Sequence, residues 1–207
     1  MTINSPTTFR SQTAQIKLLK TMAAWNKKRE VMRHYNSLAP VYDAQYCREQ
    51  DEKMKAALSG TQLKKNSLVL DAGCGTGLLF KHLGRQLKLL VGLDMSPGIL
   101  KEAKKRVKQL PTLAVVRADV DFSPFQNDIF DAIFAITLLQ NVPDPLKTLR
   151  EMKRISKDRA FIVTTGLKKE FSREVFLKLL QKAGLEVSVM KSGSELKGHV
   201  AVCRERE

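Results

Sequence analysis

The sequence predicts an α/β protein with a doubly wound, mostly parallel sheet of seven strands and a C-terminal antiparallel hairpin. Two observations lead to this prediction. After Gly60, short apolar runs alternate with helical patterns, and the last two apolar runs are separated only by the loop SGSELKG. Strands separated by helices become parallel neighbours through right-handed crossovers, which cover both faces of a sheet, whereas a short loop joins antiparallel strands.

Residues 1–60 are predicted to form a basic helical extension ahead of a sheet domain at 61–207. Over 13–36 the apolar residues have loosely helical spacing and are interleaved with lysine and arginine, which predicts one or two amphipathic helices. Turn formers follow at 34–43, and another short helix is predicted at 49–59. A chain of 207 residues is long enough for this extension and one domain with a single core.

The predicted strands of the sheet domain are apolar runs rich in leucine, valine and isoleucine. They lie at 68–70, 87–94, 113–119, 129–137, 159–165, 185–190 and 199–204. Helices are predicted between them at 78–86, 96–108, 144–155 and 172–184. Ser96 and Pro97 suit the N-cap and the first position of the second of these helices, and Gly184 suits the end of the last one.

The composition predicts a cytoplasmic protein that attracts polyanions. No run reaches the ~18 apolar residues of a membrane span, the N-terminus lacks an apolar signal core, and the scattered cysteines fit reduced thiols rather than metal ligands. The formal net charge of +15 creates a field that attracts RNA or anionic membrane surfaces. A lysine-rich surface that only keeps the protein in solution explains the same charge.

The glycine loop DAGCGTG, at 71–77, follows the first predicted strand and is the first candidate site. In such a sheet, ligands bind beyond the carboxyl ends of the strands. The loop fits neither a dinucleotide fingerprint, whose third glycine position is Leu78, nor a phosphate-binding P-loop. Asp71 at the mouth of the turn would repel a phosphate and suits a cationic ligand. S-adenosylmethionine, with an ammonium and a sulfonium but no phosphate, satisfies this requirement, and Gly73, Gly75 and Gly77 would let the backbone approach it.

Two further carboxylates follow the next two strands. Asp94 ends the second strand, near the offset at which an acidic residue accepts both ribose hydroxyls, and Met95 would pack on the adenine. Asp119 ends the third strand and would accept from the adenine amino group. Val120 and Ile136, at the ends of the third and fourth strands, complete the predicted cofactor set on this side.

The chain resembles the class I S-adenosylmethionine-dependent methyltransferases over roughly residues 31–205. The segments that carry the resemblance are VLDAGCGTG, VGLDMSPGIL, RADVDFSPF and FDAIFAITLLQNVPDPLKTLREMKRI. The resemblance implies a Rossmann-like fold. The segment HYNSLAPVYD is similar to the one that precedes the core in the ubiquinone/menaquinone-type group, where a tyrosine closes over the cofactor. By this resemblance Tyr35 and Tyr42 form a lid, although two aromatics that fix an N-terminal helix to the core would look the same.

The methyl acceptor is poorly defined by the sequence, because methyl transfer depends on positioning and desolvation more than on a dedicated nucleophile. Many relatives carry a histidine pair where Gln140 and Asn141 stand, so an obvious general base is missing. Gln140 would orient an acceptor or cap a turn, and the turn is favoured for Asn141. The catalytic residues are therefore unassigned, with Gln140, His34 and Tyr42 as candidates.

Three functions are compatible with these patterns. The first is an RNA-directed methyltransferase acting on tRNA or rRNA, whose basic N-terminal helices bind phosphates. The second is a methyltransferase for a small or lipid-like, quinone-type acceptor, with the same helices as a lid over an apolar molecule. The third is a non-catalytic module that binds the cofactor for structure or to recruit a protein partner.

Overall fold

The computed structural model describes residues 6–83, 87–108 and 110–206 of the chain. Within these residues, seven strands form one sheet in the order β3-β2-β1-β4-β5-β7-β6. The strands are β1 (Leu68–Ala72), β2 (Leu89–Asp94), β3 (Leu113–Arg117), β4 (Phe130–Ala135), β5 (Ser156–Leu167), β6 (Leu185–Lys191) and β7 (Gly198–Glu205). The first five are parallel to one another, and β7 runs antiparallel to both β5 and β6. The predicted fold class is confirmed.

Strand order reverses between β1 and β4, which places a crevice at the carboxyl ends of these two strands. Because side chains alternate along a strand, neighbouring residues of β1 enter different cores: Val69 packs with α2, α3 and α4 on one face, and Leu70 packs with α5 and α6 on the other. The helices are α1 (Pro6–Leu38), α2 (Tyr42–Leu58), α3 (Phe80–Leu83), α4 (Pro97–Val107), α5 (Pro145–Ile155) and α6 (Arg173–Lys182).

The main differences from the predicted elements lie near the N-terminus. One continuous helix, α1, occupies the region in which one or two were predicted, and α2 begins at Tyr42 instead of residue 49. The first core helix, predicted at 78–86, is the single turn α3, and residues 84–86 lie outside the described part of the chain. No helix in the described ranges combines the length and the apolar character that crossing a bilayer requires.

Contacts from both α1 and α2 fix the N-terminal helices to the sheet domain. Met54 and Ala57 of α2 are buried in the core between α2 and the sheet. Asn36 of α1 accepts a hydrogen bond from Gly98 N through Oδ1 (2.7 Å), and so satisfies a free N–H in the first turn of α4. Asp43 of α2 accepts from the Thr76 hydroxyl (2.6 Å) in the glycine loop, and Arg106 of α4 donates to Asp43 and to the Thr76 carbonyl. The predicted boundary at residue 60 stays a prediction.

Candidate active site

The glycine loop turns back from β1 onto β2. The N–H groups of Gly73 and Cys74 both donate to the Leu93 carbonyl, at 2.7 and 3.0 Å. Gly75 has φ +55°, and a Cβ there would meet only Ile99 Cδ1 at 3.8 Å, so this part of the loop faces open space. At Gly77, with φ +80°, a Cβ would lie 2.4 Å from the Phe80 ring. Gly75 therefore leaves room for a ligand, whereas Gly77 is required by packing.

A cavity opens at the crevice between β1 and β4. It gathers eight of the ten residues predicted to bind the cofactor: Tyr35, Gly73, Gly75, Asp94, Met95, Asp119, Val120 and Ile136. Asp71 lies in an adjoining cavity beneath the glycine loop, which shares Gly73 and Gly75 with the first. Gly77 lines neither of the two.

Asp94 joins the glycine loop to the start of α4. Its Oδ2 accepts from Gly75 N at 3.1 Å, and its Oδ1 accepts from Ser96 N at 2.9 Å. Burial raises the pKa of Asp94, and these backbone hydrogen bonds oppose the shift by favouring the carboxylate. Ser96 occupies the N-cap of α4 but makes no side-chain cap bond, which Asn36 supplies from α1.

Asp71 is the most strongly perturbed carboxyl group of the site. It is only 4% exposed, and burial, helped by the nearby charge of Asp94, raises its pKa to about 8. A cationic ligand group beside Asp71 would reverse this shift, because an opposite charge favours the ionised carboxylate.

Lys28 of α1 is a residue of this site that the sequence did not reveal. Its ammonium lies 2.6 Å from Asp119 Oδ2 and 2.5 Å from Asp121 Oδ2, and its side chain is only 8% exposed. Asp119 also accepts from Asp121 N at 3.0 Å. The carboxylate predicted to meet the adenine amino group is thus already paired with an ammonium that lines the same cavity. No local pattern marks this pair, since 91 positions separate Lys28 from Asp119.

Two tyrosines form the wall between the cavity and the outside. The ring centroids of Tyr35 and Tyr42 are 6.0 Å apart, and both side chains line the cavity. Asn141 donates to the Tyr35 hydroxyl (2.9 Å) and to the Thr137 carbonyl (2.9 Å). Burial raises the pKa of both tyrosines. Their hydroxyl groups therefore stay protonated at neutral pH.

Thr137, two residues beyond β4, has φ +62°, which is rare for a β-branched residue. Three hydrogen bonds hold its N–H and hydroxyl groups: the N–H donates to Thr165 Oγ1 (2.7 Å), the hydroxyl donates to Gln50 Oε1 (2.8 Å), and Lys53 Nζ donates to Thr137 Oγ1 (3.2 Å). Such strain costs about 1–3 kcal/mol and concentrates at functional sites. No sequence pattern indicates this backbone conformation, because β-branched residues normally avoid positive φ.

An open chamber of about 930 Å³ lies on the far side of the tyrosine wall. Four residues line both the chamber and the first cavity: Tyr35, Tyr42, Thr137 and Asn141. Gln140 also lines the chamber. Its Nε2 donates to the Thr137 carbonyl (3.0 Å), and its Oε1 is the one buried side-chain oxygen or nitrogen of the described residues without a hydrogen-bond partner. His34 is exposed on the rim. The three catalytic candidates thus line one chamber, and of the three only Tyr42 also lines the first cavity.

Comparisons with known proteins agree with this geometry. Residues 70–164 match a sequence family described as a methyltransferase domain. A demethylmenaquinone methyltransferase of Staphylococcus carnosus is 33% identical over 107 residues, which make up 50% of this chain and 44% of that protein. A 2-phytyl-1,4-naphtoquinone methyltransferase of Nostoc punctiforme is 33% identical over 147 residues, 63% of this chain and 61% of that protein. The chain contains a class I S-adenosylmethionine-dependent methyltransferase domain.

The chain spans about half the length of the curated relatives it matches. Among solved structures, a methyltransferase of Haloferax volcanii in complex with the Trm112 methyltransferase activator superposes with a TM-score of 0.73. The two chains are 18% identical, and the match covers 84% of this chain and 98% of that one. At 18% sequence identity, this superposition supports the fold alone.

The cofactor that this family implies is S-adenosylmethionine, and the residues at the cavity fit it. Asp71 is a buried carboxyl group suited to a cation, and Gly75 leaves open space where a side chain would otherwise stand. The assignment of individual residues to parts of the cofactor stays a prediction.

Proposed function

We propose that the chain transfers a methyl group from S-adenosylmethionine to a small, lipid-like acceptor with a ring, which enters the open chamber. The observation that carries this proposal is the position of the N-terminal helices. Val31 and Tyr35 of α1 and Tyr42 of α2 line the cofactor cavity, so these helices cover the mouth that the short late loops would otherwise leave open. A cofactor cavity covered by these helices suits a small acceptor better than a folded RNA. The two relatives that are quinone methyltransferases support the same acceptor class.

The residues of the chain would bind, orient and desolvate the reactants. The bound cofactor supplies an electrophilic methyl group. Asp71, Asp94 and the backbone around Gly75 would hold the cofactor. Tyr35 and Tyr42 would exclude water at the wall that the cavity and the chamber share, and desolvation of this kind strengthens the electrostatic interactions inside a site.

Gln140 is the residue we assign to the acceptor. Its unpaired Oε1 would accept a hydrogen bond from a hydroxyl or N–H group of the acceptor and so orient the neighbouring atom. Glu49 also lines the chamber, but Lys197 and Lys53 lower its pKa, so it is a weak base. Positioning, rather than general-base catalysis, would therefore account for most of the rate.

Transfer of a labelled methyl group tests the proposal. The purified chain is incubated with labelled S-adenosylmethionine and with separate lipid, RNA and protein fractions, and Gly75→Val is the control because its side chain would fill space that the cofactor needs. Label in the lipid or small-molecule fraction is expected with wild type and not with Gly75→Val. Label in RNA alone would refute the small-acceptor proposal, and tight cofactor binding without transfer to any fraction would favour a non-catalytic module.

An RNA acceptor is the second candidate, and the net charge of +15 favours it. Lys101 and Lys104 on α4, and Lys108 just after it, are exposed and available to phosphates, whereas Arg106 is engaged by Asp43 and Thr76. Phosphate contacts release counterions, so this candidate requires tRNA affinity to fall steeply with salt. Weak tRNA binding that is the same at about 50 and 200 mM salt would exclude it.

A further inference from the structure

The first half of α1 carries large apolar side chains that are exposed. Leu18 is 59% exposed, Leu19 60%, Met22 55% and Trp25 48%. Leu18, Met22 and Trp25 recur at i, i+4 and i+7, so they lie along one side of the helix. We call these four residues the outer strip of α1. Contiguous exposed apolar surface of this kind marks a binding site for another molecule.

The surroundings of the outer strip are basic. Residues 1–29 contain no aspartate or glutamate. Lys17 and Lys20 are exposed on the part of the helix that carries the strip, whereas Lys27, beyond it, donates to the Val142 carbonyl (2.9 Å). Arg29 and Arg33, also exposed, follow Trp25 at successive steps of four and extend its side of the helix. A partner of this surface must therefore accept apolar side chains and carry negative charge.

We infer that the outer strip of α1 docks onto an anionic phospholipid bilayer, with the helix lying in the headgroup region. Helices that combine an apolar side containing tryptophan with a lysine-rich side bind bilayers in this way. A second copy of the chain would bring two sets of lysines and arginines together and is opposed by their repulsion. RNA would pair with the basic residues but leave Leu18 and Met22 in water. The bilayer satisfies both properties of the surface.

Lys27 and His34, further along the same helix, line the open chamber from the side of α1 opposite Leu18 and Trp25. Bilayer binding by the outer strip is therefore independent of the proposed function.

Trp25 makes the test direct, because it is the single tryptophan of the chain. The full chain is mixed with vesicles of phosphatidylcholine alone or with about one third phosphatidylglycerol, and tryptophan emission and co-sedimentation are measured without cofactor. We expect a blue shift of the emission and co-sedimentation with the anionic vesicles, both weakened at high salt.

Leu18→Ser and Met22→Ser are the diagnostic variants, since each removes an exposed apolar group without adding charge. We expect each to weaken binding to anionic vesicles at least tenfold while S-adenosylmethionine affinity stays unchanged. Val175→Ser is the matched control: Val175 is 54% exposed on α6, away from α1, and its replacement should leave vesicle binding intact.

Three results would overturn the inference. The first is no blue shift and no co-sedimentation with anionic vesicles. The second is a blue shift that appears with protein concentration in the absence of vesicles, which would indicate a second copy. The third is equal loss of vesicle binding in Leu18→Ser and Val175→Ser. Because all these measurements omit the cofactor and the acceptor, failure of methyl transfer would leave them unaffected.

Discussion

Replacing Asp71 with asparagine should remove most of the pH dependence of S-adenosylmethionine binding. With a pKa of about 8, Asp71 is about 1% ionised at pH 6 and about 50% ionised at pH 8 in the free protein. If the cofactor cation binds the carboxylate, the affinity gains about fiftyfold over this interval. The cofactor's own amino group, with a pKa of ~7.7–8.0, loses charge near pH 8 and offsets about two- to threefold of the gain. The net expectation is a rise of at least tenfold in the wild type.

Isothermal titration at pH 6, 7 and 8, in two buffers of different ionisation enthalpy, measures both the affinity and the protons exchanged. Binding at pH 7 should release about 0.7–0.8 proton per cofactor, because Asp71 gives up about 0.9 proton and the cofactor's amino group takes up about 0.1–0.2. Asp71→Asn should release almost none. Asp158→Asn is the control, since the Asp158 side chain is 89% exposed. Equal wild-type affinity at pH 6 and 8 would show that Asp71 does not meet the cation.

The same carboxyl group predicts a trend in the stability of the cofactor-free protein. The folded chain keeps the Asp71 proton to a higher pH than the unfolded chain does, so folded molecules bind more protons between pH 3.8 and about 8. The contribution of Asp71 to the free energy of unfolding is therefore full below pH 3.8 and is lost as the pH rises to about 8. The melting temperature of Asp71→Asn relative to wild type should rise over this interval. A constant difference would contradict the buried, protonated state of Asp71.

Three further substitutions separate binding from folding. Gly77→Ala should lower the free energy of unfolding by about 1–3 kcal/mol, because alanine is strained at φ +80° and its Cβ meets Phe80. Denaturant titration measures this loss, and a stability equal to that of the wild type would contradict it. Asp94→Ala should weaken cofactor binding at least tenfold by calorimetry, since it removes a predicted ligand and the acceptor of Gly75 N; unchanged affinity would mean that the pocket is misplaced. Lys28→Met should lower the free energy of unfolding by roughly 3–5 kcal/mol, because Asp119 and Asp121 lose their buried cation. An unchanged melting temperature would show that Lys28 does not pair with these carboxylates.

The sequence predicted the sheet and the glycine-loop side of the site because both depend on nearby residues. Asp94 and Gly75 are 19 positions apart, at the ends of adjacent parallel strands, so strand order alone brings them together. The partner of Asp119 depends instead on how α1 packs, and neither composition nor spacing encodes that packing. Thr137 escaped prediction for a different reason: its backbone conformation is imposed by Gln50, Lys53 and Thr165 from other elements.

The helix boundaries were predicted wrongly where tertiary contacts override local sequence preference. α1 continues through a region of mixed lysine and apolar residues that reads as one or two helices. The turn formers of 34–43 do end it, but α2 begins within that same segment. Ser96 shows the same effect on a smaller scale, since Asn36 from α1 makes the cap bond that the sequence assigned to its side chain.

The cap that Asn36 provides and the Asp43–Thr76 bond connect the N-terminal helices to the two segments that frame the cofactor cavity. Such a connection couples the cofactor site to the surface of α1. A membrane, an RNA or a protein that favours one arrangement of α1 would change the dissociation constant of S-adenosylmethionine by some factor. S-adenosylmethionine would then change the dissociation constant of that partner by the same factor. Measuring either dissociation constant with and without the other ligand would give the coupling free energy.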